Sequence, residues 1–259
     1  MNFKNCIASL MAVLSLVMPV SAYSADGSLA DWGVNPFASW APSSGTADYT
    51  EDNWKHGSDI GTGSMPSGGE AFDMEAIYFD NKAGFAYFAV VTSMPESGVW
   101  AANYTMGDLA LDLDNDGTYE YGIKILGPDK GMVCQNPVWT YKLINLTGPG
   151  THPYTFACTG GSSVDAGDAV VAYVKSGVNE SGPLPETYVI EIAVNDTFLG
   201  SPPAGQWAQS DITMSCVNDV IKIDYDWDLP AFPSAAVPVV LALFAPVGAY
   251  VAARRREEN

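Results

Sequence analysis

Between residues 26 and 229 no stretch sustains the 3.6-residue apolar period of an amphipathic helix. Short β-rich runs recur instead between clusters of Gly, Pro, Asn and Asp, a pattern that restricts the chain to an all-β sandwich or barrel. The runs are Phe72–Phe79, Phe85–Thr92, Asp108–Leu113, Tyr119–Leu126, Val138–Ile144, Ala169–Lys175, Tyr188–Val194, Ile212–Cys216 and Val220–Tyr225. The Phe85 run is apolar on both faces through Val91 and reads as a central strand. In Asp108–Leu113 the residues Leu109, Leu111 and Leu113 are expected to face inward, with Asp108, Ala110 and Asp112 outward. Eight or nine strands at this spacing predict a single antiparallel, jelly-roll-like β-sandwich over residues 23–228. Gly45–Gly69 is polar, rich in Gly and Ser, and expected to form a long surface loop.

The two ends of the chain read differently. Lys4 precedes an apolar run from Ile7 to Val20, and Val20-Ser21-Ala22 places small residues at a leader-peptidase site. Residues 1–22 are therefore expected to be a signal peptide that is removed, with Ala25 a second choice of cleavage position. At the other end Ala235–Ala253 is uncharged and, at about 1.5 Å per helical residue, reaches roughly 28 Å, about one hydrocarbon core. Arg254, Arg255 and Arg256 follow directly and favour the cytoplasmic side. Residues 229–259 thus predict a C-terminal transmembrane helix, with the body on the extracellular side of the cytoplasmic membrane.

Charge narrows the partners. The chain has 11 basic and 30 acidic residues, a formal net charge of −19. Setting aside Lys4, Arg254, Arg255, Arg256, Glu257 and Glu258 leaves 7 against 28, or −21 for the body. Such a surface repels nucleic acid and suits divalent cations or a salty habitat. Of the 4 cysteines, Cys6 leaves with the leader. In an exported chain Cys134 and Cys158, the nearest in sequence, are the expected disulfide; three reduced thiols are the alternative. Asn103, Asn145, Asn179 and Asn195 each open an Asn-x-Ser/Thr sequon and are candidate glycosylation sites.

The motif Pro230-Ala231-Phe232-Pro233, one apolar span and a terminal Arg cluster together resemble the sorting signals of PEP-CTERM and PEF-CTERM surface proteins. Ala231 stands where the archaeal pattern has Glu. The resemblance implies a membrane transpeptidase partner, an exosortase or archaeosortase, that removes the span; a permanently retained anchor is the alternative. In the body, Asp26-Gly27-Ser28-Leu29-Ala30-Asp31-Trp32 resembles the opening of family 9 carbohydrate-binding modules and DOMON-type sandwiches. Phe72–Asp80 followed by Ala86–Val90 resembles their strand pair. Gly107–Asp112, Asp116–Gly122 and Met214–Asp219 are similar to segments of other surface proteins with such tails. These likenesses imply a sandwich that binds rather than cuts.

Asp112-Leu113-Asp114-Asn115-Asp116-Gly117-Thr118-Tyr119-Glu120 is the sharpest local motif. Alternating aspartates before a glycine can turn several hard oxygen ligands inward, as calcium requires. Asp112, Asp114, Asp116, the Thr118 carbonyl and Glu120 are the candidate ligands. Asn115-Asp116-Gly117 is equally a hairpin-turn signal, and the two readings are compatible. Asp73 and Glu75, two apart on an expected strand, carry the rival reading of a sandwich glycan hydrolase. The 2 histidines have no partner at metal or triad spacing, and no nucleophile elbow or phosphate loop occurs. Among 7 tryptophans, Trp54 and Trp100 lie in polar loops and are candidates for stacking on sugar rings. The sequence predicts a secreted, surface-anchored, non-enzymatic protein with a structural, adhesive or glycan-binding role.

Overall fold

The computed structural model describes residues 23–43, 47–51, 70–100, 104–140, 147–149, 157–159, 162–163, 168–176, 187–216 and 219–228. The expected leader and tail lie outside them, as do Trp54, Asn103, Asn145 and Asn179. Among the described residues no helix is long and apolar enough to cross a membrane. The strands are β1 (Asp48–Glu51), β2 (Met74–Lys82), β3 (Phe85–Thr92), β4 (Leu109–Asp112), β5 (Tyr121–Ile123), β6 (Val133–Gln135), β7 (Val138–Thr140), β8 (Thr147–Pro149), β9 (Ala157–Thr159), β10 (Ser162–Ser163), β11 (Ala169–Lys175), β12 (Tyr188–Asn195), β13 (Trp207–Thr213) and β14 (Val220–Asp226).

They form an all-β, antiparallel architecture. One sheet has the order β1-β2-β3-β12-β11, the second β10-β6-β5-β4-β13-β14, and a small third sheet β8-β7-β9. β3 lies in the middle of its sheet, as its two apolar faces require. β2 and β3 are joined by Ala83 and Gly84, both at positive φ (56° and 81°), with Lys82 opposite Phe85. Two consecutive left-handed residues match the twist of the flanking strands. Ile77, Phe79, Phe88, Val90, Ile190 and Ile192 of the first sheet share one buried core with Leu109, Leu111, Ile123, Ile212, Ile221 and Ile223 of the second.

Three expectations need correction. Phe72 belongs to a 3-10 turn, Glu70–Phe72, and the strand begins at Met74, with a register shift between Met74 and Ala76. The run expected at Ile212–Cys216 is β13, displaced toward the N-terminus; polar Ser210 and Asp211 mask its alternation, although both are buried. Asp108, Ala110 and Asp112 do point away from the main core, yet all three are buried. A further layer covers them.

That layer explains the small third sheet. Trp139 and Cys158 pack with Ala110, Tyr119 and Cys134 in a second cluster on the outer side of the β4-β5-β6 sheet. A Cβ on Gly122 would lie 2.7 Å from the Trp139 ring and 2.9 Å from Cys158 Cβ, so only glycine allows this approach. A Cys134–Cys158 disulfide joins β6 to β9. Asp108 adds a second link: its carboxylate accepts from Ile125 N (3.2 Å) and Cys158 N (3.0 Å).

The outer face of the first sheet is covered in turn by residues 23–43. Trp32 and Tyr23 stack at 4.1 Å and pack on Tyr78 and Tyr87. Glu191 of β12, only 2% exposed, holds this segment in place. It accepts from Trp32 Nε1 (2.8 Å), Asp26 N (2.9 Å) and Gly27 N (2.5 Å). Gly27 has φ +83°, and a side chain there would strike Val174. The Asp26–Trp32 motif is therefore a cradle of two backbone amides and one indole N–H for one buried carboxylate.

Burial pushes the Glu191 carboxyl up to about 7, against the pull of its three N–H donors. Because the unfolded chain releases that proton near 4.5, the fold binds more protons between those values. Stability from this group is full below about pH 4.5 and is lost as pH rises through about 7. Asp196, raised to about 6 by burial, acts in the same direction. The melting temperature is expected to fall between about pH 5 and pH 8. Glu191→Gln should flatten that slope by up to about 1.4 kcal/mol per pH unit, the value of one proton. An unchanged slope in urea titrations at several pH values would remove Glu191 from the account. Reduction of Cys134–Cys158 should lower stability by about 2–4 kcal/mol, read from denaturation with and without reductant.

Candidate functional site

The acidic turn grows out of the end of β4. Alternation places Leu111 in the core and directs Asp112 outward, opposite Gln209 of β13. β4 and β5 pair as Leu111 with Tyr121, so residues 113–120 form a wide loop rather than a two-residue hairpin turn. Asp112 closes it from within: Oδ1 accepts from Asp116 N (3.1 Å) and Oδ2 from Gly117 N (2.8 Å). Asp116 Oδ1 accepts from Thr118 N at 2.8 Å, and Glu120 Oε2 from Leu113 N at 3.0 Å. Asn115 (φ 54°) and Gly117 (φ 88°) supply the left-handed bends, which Asn and Gly tolerate at least cost.

The consequence is convergence. Asp112, Asp114, Asp116 and Glu120 each place a carboxylate oxygen within 4.8 Å of the others. Asp112 is buried, Asp114 and Asp116 are exposed, and Glu120 is half-buried. Burial raises the Asp112 carboxyl, and the nearby Asp116 adds to the rise while loop amides oppose it. Glu120 is raised for the same first reason, with Asp112 and Asp114 contributing like charge. A hard divalent cation would find four carboxylates from one nine-residue segment here, the donor type calcium prefers.

The loop has a fixed stem. Tyr119, buried beneath it, donates its hydroxyl to Asp211 Oδ2 at 2.5 Å and meets Trp139 edge-on at 6.2 Å. Trp139 Nε1 donates back to the Tyr119 carbonyl at 3.4 Å. The turn is thus mounted on the disulfide-bearing outer layer.

Trp100 lies in a different part of the fold. It is 62% exposed, adopts φ 51°, and is held edge-on by Phe72 (5.2 Å) and Tyr104 (5.4 Å). An antiparallel bridge between Val99 and Tyr104 closes its loop. A large non-glycine residue in the left-handed region is strained, and here the strain presents an indole to solvent. Trp32, Trp40, Trp139 and Trp227 are all buried. Trp207 is exposed on β13, opposite Asp226 and two residues from Gln209. Sequence reasoning missed it, although its alternation with buried Ala208 was the available signal.

The other candidates fall as follows. Asp73 and Glu75 are 1% and 0% exposed, and Glu75 accepts from Ser93 Oγ at 3.3 Å. Asn195 ends β12, where its Oδ1 accepts from Thr197 N (3.0 Å) and Thr197 Oγ1 (2.6 Å) and caps a 3-10 turn. Cys216 packs against the main core. No family model, curated protein or solved structure matches the chain.

Calcium is expected to raise the melting temperature of the native protein, and Asp114→Ala to abolish the increment. Asp114 is the choice because it is exposed and outside the amide network that Asp112 holds together. Equal melting in calcium and in chelator would eliminate the site.

Proposed function

We propose that this is an exported, envelope-anchored, non-enzymatic β-sandwich of jelly-roll type, whose role is structural or adhesive. A divalent cation, calcium by donor chemistry, rigidifies the 112–120 turn, and Trp100 offers a stacking surface to a neutral cell-surface glycan. The observation that carries this reading is the convergence of Asp112, Asp114, Asp116 and Glu120 within 4.8 Å. A disulfide between β6 and β9 suits an oxidising location. The leader, the Pro230–Pro233 motif, the apolar span and the arginine cluster supply the address, with a sorting transpeptidase as the partner that would process the tail. The strongly negative body directs the binding preference toward uncharged sugars.

The burial of Asp73 and Glu75 supports a binding role over glycan hydrolysis. A glycosidase needs its two carboxyls open to a substrate and to water, whereas these two are enclosed. A flat indole supported by two further aromatic rings is the arrangement that stacks on the apolar face of a pyranose.

Two measurements test the proposal. Proteinase K applied to intact cells should digest the body; protection until the cells are lysed would overturn the topology. On an array of neutral hexose and N-acetylhexosamine oligosaccharides, Trp100→Ala should bind about tenfold more weakly than the native protein. Undiminished binding by Trp100→Ala would discard that stacking surface.

A further inference from the structure

The sequence offers two bonds for removal of the leader, after Ala22 and after Ala25, and the packing of residues 23–25 distinguishes them. Tyr23 is 8% exposed. Its ring stacks on Trp32 at 4.1 Å and tilts against Tyr87 at 5.2 Å. The Lys82 ammonium sits over the Tyr23 ring, 4.6 Å from its centroid. The phenol donates to Asp80 Oδ2 at 2.5 Å and accepts from Lys82 Nζ at 3.1 Å. Ser24 N donates to Asp31 Oδ2 at 2.8 Å, and the Ser24 carbonyl accepts from Asp26 N at 2.9 Å. These residues are not a spacer between leader and domain; they belong to the layer that covers the first sheet.

We infer that the leader is hydrolysed at the Ala22–Tyr23 bond and that Tyr23 is retained as a plug closing the aromatic outer layer. The inference rests on the export reading above. Water adds across the peptide bond, leaving a carboxylate on Ala22 and an ammonium on Tyr23. Cleavage after Ala25 would instead discard the plug, uncover the Trp32 and Tyr87 rings, and leave the Asp80–Lys82 pair without its phenol. That rival product has an attraction of its own. Its new ammonium would form at Asp26 N, which lies 2.9 Å from the Glu191 carboxylate. The loss of a buried aromatic stack outweighs it, because Asp26 N already donates to Glu191 as an amide.

N-terminal sequencing and intact mass of the full chain recovered from its host decide the matter. A first residue of Tyr23 is the expected result. A first residue of Asp26 overturns this inference while leaving export intact; retention of Met1 on the accumulated protein overturns the export reading itself. The plug is tested separately by full-chain variants. Tyr23→Ala should lower the melting temperature by about 5–10 °C, and Tyr23→Phe, which keeps the stack and loses only the hydroxyl, by clearly less. A Tyr23→Ala protein that melts with the native one sinks the plug.

Discussion

The scarcity of cations governs how this fold is held together. With 7 basic side chains in the body against 28 acidic ones, most carboxylates have no ammonium or guanidinium to pair with. Burying an unpaired carboxylate is costly, and backbone N–H donors are the remaining means of compensation. The structure uses them repeatedly. Glu191 gathers the amides of residues 26 and 27 with the indole N–H of Trp32; Asp108, which also has Lys124 Nζ at 3.9 Å, ties β9 to the end of β5; Asp112 closes its own loop. Asp219 accepts from Met74 N (2.8 Å) and Val220 N (2.9 Å), joining the start of β14 to the start of β2. Glu191, Asp108 and Asp219 join segments that the sheet ladders leave unconnected. Burial holds the Glu191, Asp108 and Asp112 carboxyls above their ordinary values in spite of these donors.

This device also accounts for the layering. A conventional two-sheet protein exposes its outer faces, and polar residues alternate there. Here Ala76, Tyr78, Ala89 and Val91 on the outside of one sheet, and Ala110 on the outside of the other, are fully buried. Residues 23–43 cover the first face and β7–β9 the second. Neither cover has a long ladder to its sheet, so carboxylate-to-amide bonds, aromatic stacking and one disulfide fasten them. Glycine at 27 and 122 permits the close approach.

The legibility of the sequence follows from the same facts. β3 and β11 are read residue for residue, because Phe85–Thr92 and Ala169–Lys175 are long, strongly β-forming and bounded by turn residues. β1, β6, β9 and β10 are four residues or fewer and carry little periodic signal of their own; their partners create them. The alternation in Asp108–Leu113 gives the correct facing, but exposure cannot be inferred from it, since the covering layer comes from distant sequence. The convergence of Asp112, Asp114, Asp116 and Glu120 is legible from local spacing. The wide loop that replaces a tight turn is not, because it depends on Tyr119 reaching Asp211, ninety-two residues away. The pairing of Trp32 with Glu191 is hidden for the same reason: one buried acid in an alternating strand looks like any solvent-facing position.

The acidic turn can then be understood as the place where amide compensation runs out. At Glu191 and Asp108 both carboxylate oxygens are engaged by donors from the chain. In the turn, Asp112 consumes the amides of residues 116 and 117, and Asp116 and Glu120 consume those of 118 and 113. Asp114 joins three already committed carboxylates, all within 4.8 Å. A fourth negative charge in that space repels the others unless positive charge arrives from outside the chain. A divalent cation would supply it without demanding a basic residue, and carboxylates already fixed by the backbone would lose less freedom on coordinating it. The shortage of lysine and arginine that turns acids onto backbone amides elsewhere is the reason an external cation is the counter-charge proposed here.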